Sequence, residues 1–108
     1  MAVSATEREQ VCGLLLRDVA ATLGAGHEAV VFATAVSQER LAGDIADFTQ
    51  QLVDDIQQYF HDSFIDTSWP ACPLHPGHPL WFDDGWWRCE RDAVAIAELG
   101  ELGAAGNG

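Results

Sequence analysis

Two cysteines and two histidines fall within eighteen residues in the last third of the chain: Cys72, His75, His78 and Cys89. Thiolate sulfur and neutral imidazole nitrogen are the donors that suit zinc, and two of each make a tetrahedral set. The arrangement Cys72-x2-His75, thirteen intervening residues, then Cys89-x2-Asp92 offers Asp92 as an alternative fourth ligand to His78. All four prolines lie in this region, at Pro70, Pro73, Pro76 and Pro79, so that Trp69, Cys72, His75 and His78 each precede a proline and are biased away from helix. In a polyproline II helix, residues three apart lie about 9 Å apart along the axis, too far to share one ion. The donors can meet only if the segment turns. A knuckle would do this, with the amides of Leu74 and His75, both present, directed at the Cys72 sulfur.

Other chemistries have less support. A catalytic zinc needs an open position and a base, and Glu90, beside Cys89, stands alone without the spacing of hydrolase or deaminase motifs. Cys72 and His75 could form a thiolate and base, but no third group orients them. No GxGxxG, GxxxxGK[ST] or GxSxG pattern occurs. The carboxylates Asp44, Asp47, Asp54 and Asp55 share one side of a helical segment, but no glycine-centred calcium loop accompanies them and no apolar setting to raise a pKa is evident. The competing metal-free reading makes Cys72 and Cys89 buried neighbours or an opportunistic disulfide, with both histidines in a solvated loop.

The elements that must position these residues follow from periodicity. Cys12, Leu15, Leu16, Val19 and Leu23 mark one face of a helix over 6–23, opened by a Thr6/Glu9 capping box and closed at Gly24 and Gly26. Cys12 on that face is expected to be a core thiol. EAVVFATAV, 28–36, is apolar on both faces and predicts a short buried strand, with helix as its competitor. From about Gln38 to Phe60, Leu41, Ile45, Phe48, Leu52, Ile56 and Tyr59 predict a long amphipathic helix capped by Ser37, its other face rich in aspartate and glutamine. LWFDDGWWRCERD, 80–92, predicts a β-hairpin about Asp84-Gly85, and DAVAIAEL, 92–99, a third strand. The expected fold is therefore α+β: N-terminal helix, short strand, long helix, then a knuckle and an antiparallel three-stranded sheet.

With 108 residues, 48% hydrophobic and 20% charged, the chain has material for one core. The expected domain is 1–102, with a helical part at 5–62 and the knuckle and hairpin at 69–99. Fraying is expected from about Gly100, with 103–108 a flexible tail. Seventeen acidic against five basic residues give a net charge of -12, which argues against nucleic acid and towards a protein partner with a basic surface. No apolar run of about 18 residues and no secretory leader pattern occur, so a cytoplasmic, membrane-free setting is expected. Three cysteines, an odd number, argue against a disulfide framework. Eight of the ten aromatic residues lie between Tyr59 and Trp87; the hairpin set Trp81, Phe82, Trp86 and Trp87 is a candidate partner surface, with alternation sending each adjacent pair to opposite sides.

The spacing of the cysteine pairs, and the proline after Cys72, are similar to those of zinc-ribbon domains, which usually end the second pair with Cys or His where this chain has Asp92. From about Ser37 to Leu102 the chain also resembles a group of uncharacterised small acidic actinobacterial proteins, through SQERLAGDIADFTQQLVDD, WPACPLHPGHPL, WWRC and ELGEL. This resemblance implies an intracellular protein of a high-GC bacterium with a paired helix and hairpin unit, and it implies no activity. All five basic residues being arginine agrees with such a genome. Three functions fit: a non-enzymatic acidic interaction module stabilised by structural zinc, a small metalloenzyme or metal/redox sensor using the same cluster, and a metal-free acidic mimic or inhibitor of a basic surface.

Overall fold

A computed structural model describes residues 3–63, 68–75 and 77–103. Phe64, Pro76 and the tail beyond Gly103 lie outside the described residues. Three helices, α1 (Ala5–Leu23), α2 (Glu28–Leu41) and α3 (Ile45–Asp62), precede an antiparallel sheet of β1 (Trp81–Asp83), β2 (Trp86–Cys89) and β3 (Val94–Glu98), in the order β1-β2-β3. The α+β class and the three-stranded sheet are as expected. No helix of the described residues is long and apolar enough to cross a membrane.

The first helix starts two residues earlier than the Thr6 cap would place it. Ser4 is the N-cap: its hydroxyl accepts from the Glu7 amide and the Glu7 carboxylate accepts from the Ser4 amide. The buried positions of α1 are Val11, Cys12, Leu15, Asp18 and Val19, a stripe one helical turn apart that includes one carboxylate.

Residues 28–36 are helix, not strand. Their buried positions are Val31 and Ala35, four apart, as a helix packed on both α1 and α3 requires. A helix satisfies its own backbone hydrogen bonds, whereas a strand here would need a neighbour to pair with. The apolar character on both sides arises because the outer face, including Phe32 and Val36, is left exposed.

The long helix expected from Gln38 is divided at 42–44. Asp44, not Ser37, caps α3 by accepting from the Asp47 amide at 2.8 Å, while the Asp47 carboxylate accepts from the Gly43 amide at 3.0 Å. The break moves Leu41, 76% exposed, off the seam, and leaves Phe48, Leu52, Val53, Ile56 and Phe60 as the buried side of α3. Tyr59 is partly exposed, at 39%.

At the hairpin tip Asp84 and Gly85 have φ of 52° and 86°, the paired left-handed conformation of a two-residue turn matched to strand twist. Trp81 pairs with Arg88, Phe82 with Trp87 and Asp83 with Trp86. Alternation buries Phe82 and Trp87 and exposes Trp81 and Trp86.

Asp18 joins helices to sheet. Its carboxylate is fully buried and accepts from the Trp87 indole N–H at 2.7 Å, the Gly100 amide at 2.7 Å and the Leu102 amide at 2.9 Å. The segment expected to fray from Gly100 is therefore docked through Leu102, which is itself buried. Only glycine fits at 100: its φ is 94°, and a Cβ there would lie 2.7 Å from a methyl of Leu14.

Burial pushes the Asp18 carboxyl above the ordinary carboxylate range, against the opposing pull of the Gly100, Trp87 and Leu102 donors and of Arg17. The folded protein then keeps this proton to higher pH than the unfolded chain does. The contribution of Asp18 to stability is fully present below the ordinary carboxylate pKa and declines as pH rises through its folded titration. Asp18→Ala removes the acceptor of three buried N–H groups and should cost about 3–5 kcal/mol. Urea unfolding followed by tryptophan fluorescence measures this, and subtracting Asp18→Asn from wild type across pH should isolate the declining component.

Candidate metal centre

The proline-rich segment turns back on itself instead of running as polyproline II. Ala71 and Pro79 form an isolated antiparallel bridge, the Cys72 amide donates to the His78 carbonyl at 2.8 Å, and the Leu80 amide donates to the Pro70 carbonyl at 2.6 Å. Within this clamp the His75 amide donates to the Cys72 carbonyl at 3.3 Å and the His78 amide to the His75 carbonyl at 3.0 Å. These consecutive turns fold the His75 ring back over Cys72. The His75 amide, expected on the Cys72 sulfur, is thus engaged by a carbonyl. An amide to sulfur bond does occur at the other cysteine, where the Asp92 N–H donates to the Cys89 sulfur at 3.4 Å.

Helix α3 holds the clamp in place. The Gln57 side-chain amide donates to the Trp69 carbonyl at 3.1 Å and the Leu80 carbonyl at 2.7 Å, one on each arm. Gln50, two turns earlier, donates to the Phe82 carbonyl at 2.7 Å. The Trp69 indole donates to the Thr22 hydroxyl at 2.7 Å, fixing the entrance of the clamp to α1. None of these residues was marked as part of the site by its sequence context. The available signal was a pair of glutamines seven apart beside an apolar seam, which places both on one helical flank.

Three donors converge. The Nδ1 of His75 lies 3.7 Å from the Cys72 sulfur and 3.3 Å from the Cys89 sulfur, and the three donor atoms lie within 4.8 Å of one another. A tetrahedral ion bound at about 2.3 Å from sulfur and 2.0–2.1 Å from nitrogen would place each sulfur about 3.6 Å from the nitrogen. The two observed separations straddle that value. Both cysteines are free and buried, Cys89 because alternation along β2 turns it inward beneath Trp87. The group can hold a metal, and its arrangement is compatible with a zinc-ribbon-like knuckle.

The remaining candidates occupy other positions. His78 is exposed, with its ring centre 6.4 Å from that of His75, and is outside the converged trio. Asp92 is outside it too: its carboxylate lies 3.5 Å from His75 Nε2, the ring nitrogen other than the one facing the sulfurs. Cys12 is buried in α1.

Of the aromatic set, Phe82 and Trp87 belong to the core and are withdrawn from the candidate partner surface by their burial; Trp81 and Trp86 stay exposed. A groove of about 480 Å³ runs between the first turns of α3 and the hairpin tip, lined by Ile45 and Phe82 together with Asp47, Asp83 and Asp84. On the acidic face Asp54 departs from the sequence expectation. Partial burial raises its pKa, the Gln50 hydrogen bond opposes this, and Asp55 and Asp83 raise it further.

Comparison with protein-family models, with curated proteins and with solved structures finds no match. Functional argument therefore rests on the site itself.

Gln57→Ala would remove both anchors of the clamp and should cost about 1–3 kcal/mol. In metal-free protein it should also speed the reaction of Cys72 with a thiol reagent while leaving Cys12 slow, as mass spectrometry of labelled peptides would reveal.

Proposed function

We propose that this protein is a non-enzymatic, acidic interaction module whose last third is organised by a structural zinc ion. The observation that carries the reading is the convergence of two thiols and one imidazole nitrogen, from two separate segments, at separations suited to a tetrahedral ion. Cys72, His75 and Cys89 would bind as two thiolates and a neutral imidazole, and zinc would displace the thiol protons. His78 would complete the set by a side-chain rotation, since its backbone is already held by Cys72 and His75. That is a closed structural site, without the open position a catalytic zinc needs.

Asp92 takes a different part in this reading. A ligating histidine commonly donates its second ring N–H to a carboxylate, which fixes the tautomer and the ring orientation. The Asp92 carboxylate lies 3.5 Å from His75 Nε2, close enough to accept such a bond after a small side-chain movement, and its backbone amide donates to the Cys89 sulfur. The net charge of -12 and the carboxylate-edged groove with apolar residues within it suit a partner with a basic surface around an apolar centre.

Elemental analysis of untagged protein tests the reading. About one zinc per chain is expected, with Cys72 and Cys89 protected from thiol reagents until a chelator is added. Cys89→Ala should lose the metal and destabilise the C-terminal third, and unchanged metal content and melting would overturn the proposal. Asp92→Ala should keep one zinc per chain but bind it about 10–100-fold more weakly. In a cobalt-substituted protein, His78→Ala should open a coordination position and make the spectrum respond to small anions, whereas the wild-type spectrum should not.

A further inference from the structure

Helix α2 presents to solvent a face that its own chain does not cover. Val31 and Ala35 point into the core, and the opposite side carries Ala29, Phe32, Ala33 and Val36, all exposed, with Phe32 and Val36 each 45% accessible. Glu28 and Arg40, both exposed, stand at the two ends of the same helix. Among the described residues, Arg40 has no carboxylate within ion-pairing distance; the other arginine of α2's surroundings, Arg8, is paired with Glu39 at 2.6 Å.

Glu28, Phe32, Val36 and Arg40 are spaced by four, so they form one ridge of the kind that interlocks when helices cross. The order along the ridge is acid, apolar, apolar, base. Thr34 lies midway between Phe32 and Val36 and also midway between Glu28 and Arg40. A two-fold axis at Thr34 would therefore set each Phe32 against the second copy's Val36, and each Glu28 against the second copy's Arg40. The alanines at 29 and 33 leave room beside the larger side chains for a neighbouring helix. A two-fold contact demands a self-complementary patch, and this ridge is complementary to its own reverse.

We propose that the outer face of α2 is a homodimer interface, in which two copies of the chain pair antiparallel through Phe32 and Val36 and are set in register by Glu28 and Arg40. The partner is a second copy and not an unrelated basic protein, because the stripe is apolar along its centre and carries one charge of each sign at its ends. The acidic surface lies elsewhere, on α3. The inference is independent of the metal site.

Sedimentation equilibrium of full-length protein, from low micromolar to several hundred micromolar, tests it. A mass of twice 11.7 kDa is expected to appear with concentration. Phe32→Glu and Val36→Glu should each hold the protein at the monomer mass with circular dichroism unchanged, since both side chains are exposed in the single chain. E28R and R40E should each weaken the dimer about tenfold by replacing two attractive end pairs with repulsive ones. An equimolar mixture of E28R and R40E should regain the wild-type affinity, because each end then pairs opposite charges. A monomer mass throughout the range would overturn the proposal, as would a dimer that persists in Phe32→Glu and Val36→Glu. If the mixture stays as weak as the single variants, the antiparallel register is wrong and the proposal falls with it.

Discussion

Asp18 is the one polar residue fully enclosed in the core among the described residues, and two separately placed parts of the chain meet at its two oxygens. The Trp87 indole arrives from β2, and the amides of Gly100 and Leu102 from the segment after β3. A carboxylate removed from water must be compensated by hydrogen bonds or it forces its surroundings apart. Here the compensation requires the hairpin and the C-terminal segment to dock against α1 in one orientation. The left-handed glycine at 100, closed against Leu14, is a consequence of bringing that amide so near the helix.

Around this contact the aromatic residues form a continuous series of edge-to-face pairs. His27 meets Phe60 with ring centres 5.1 Å apart, Phe60 meets Trp69 at 5.0 Å, Trp69 meets Trp87 at 5.5 Å, and Trp87 meets Phe82 at 5.1 Å. The start of α2, the end of α3, the clamp and the hairpin are thus linked by side chains that favour this geometry. Both buried indoles of the series donate to α1, Trp69 through Thr22 and Trp87 through Asp18. The cluster of Cys72, His75 and Cys89 hangs from this frame: one cysteine follows Trp69 by three residues, the other follows Trp87 by two.

The glutamines of α3 complete the support by meeting backbone carbonyls that the small sheet leaves unpaired. This explains why a three-residue strand and a short clamp can hold donors from different segments within a few ångströms of each other. A metal at the cluster would tie the clamp to the end of β2, adding its own bonds to the contacts that the core makes there.

Much of the architecture was legible in the residues themselves. The heptad-like stripe of α1, the seam from Phe48 to Ile56 and the Asp84-Gly85 turn are local patterns, decided by side-chain periodicity and by backbone conformations that few residues adopt. The clustering of Cys72, His75 and Cys89 was legible as a spacing, but the same spacing included His78 and offered Asp92, and neither joins the three donors in space. Two elements were not readable in this way. Residues 28–36 carry no period because their core side and their outer side are both apolar, so only packing on α1 and α3 selects the helix. The division at Gly43 and Asp44 lay hidden in a run of apolar positions that continued across it, and the competing Ser37 cap was equally plausible as a local signal. Tertiary structure alone decided which side of the hairpin is covered, that residues 100–102 are anchored by Asp18, and that Asp92 faces the far nitrogen of His75. Each depends on groups distant in sequence meeting in space, and local patterns contain no measure of that distance.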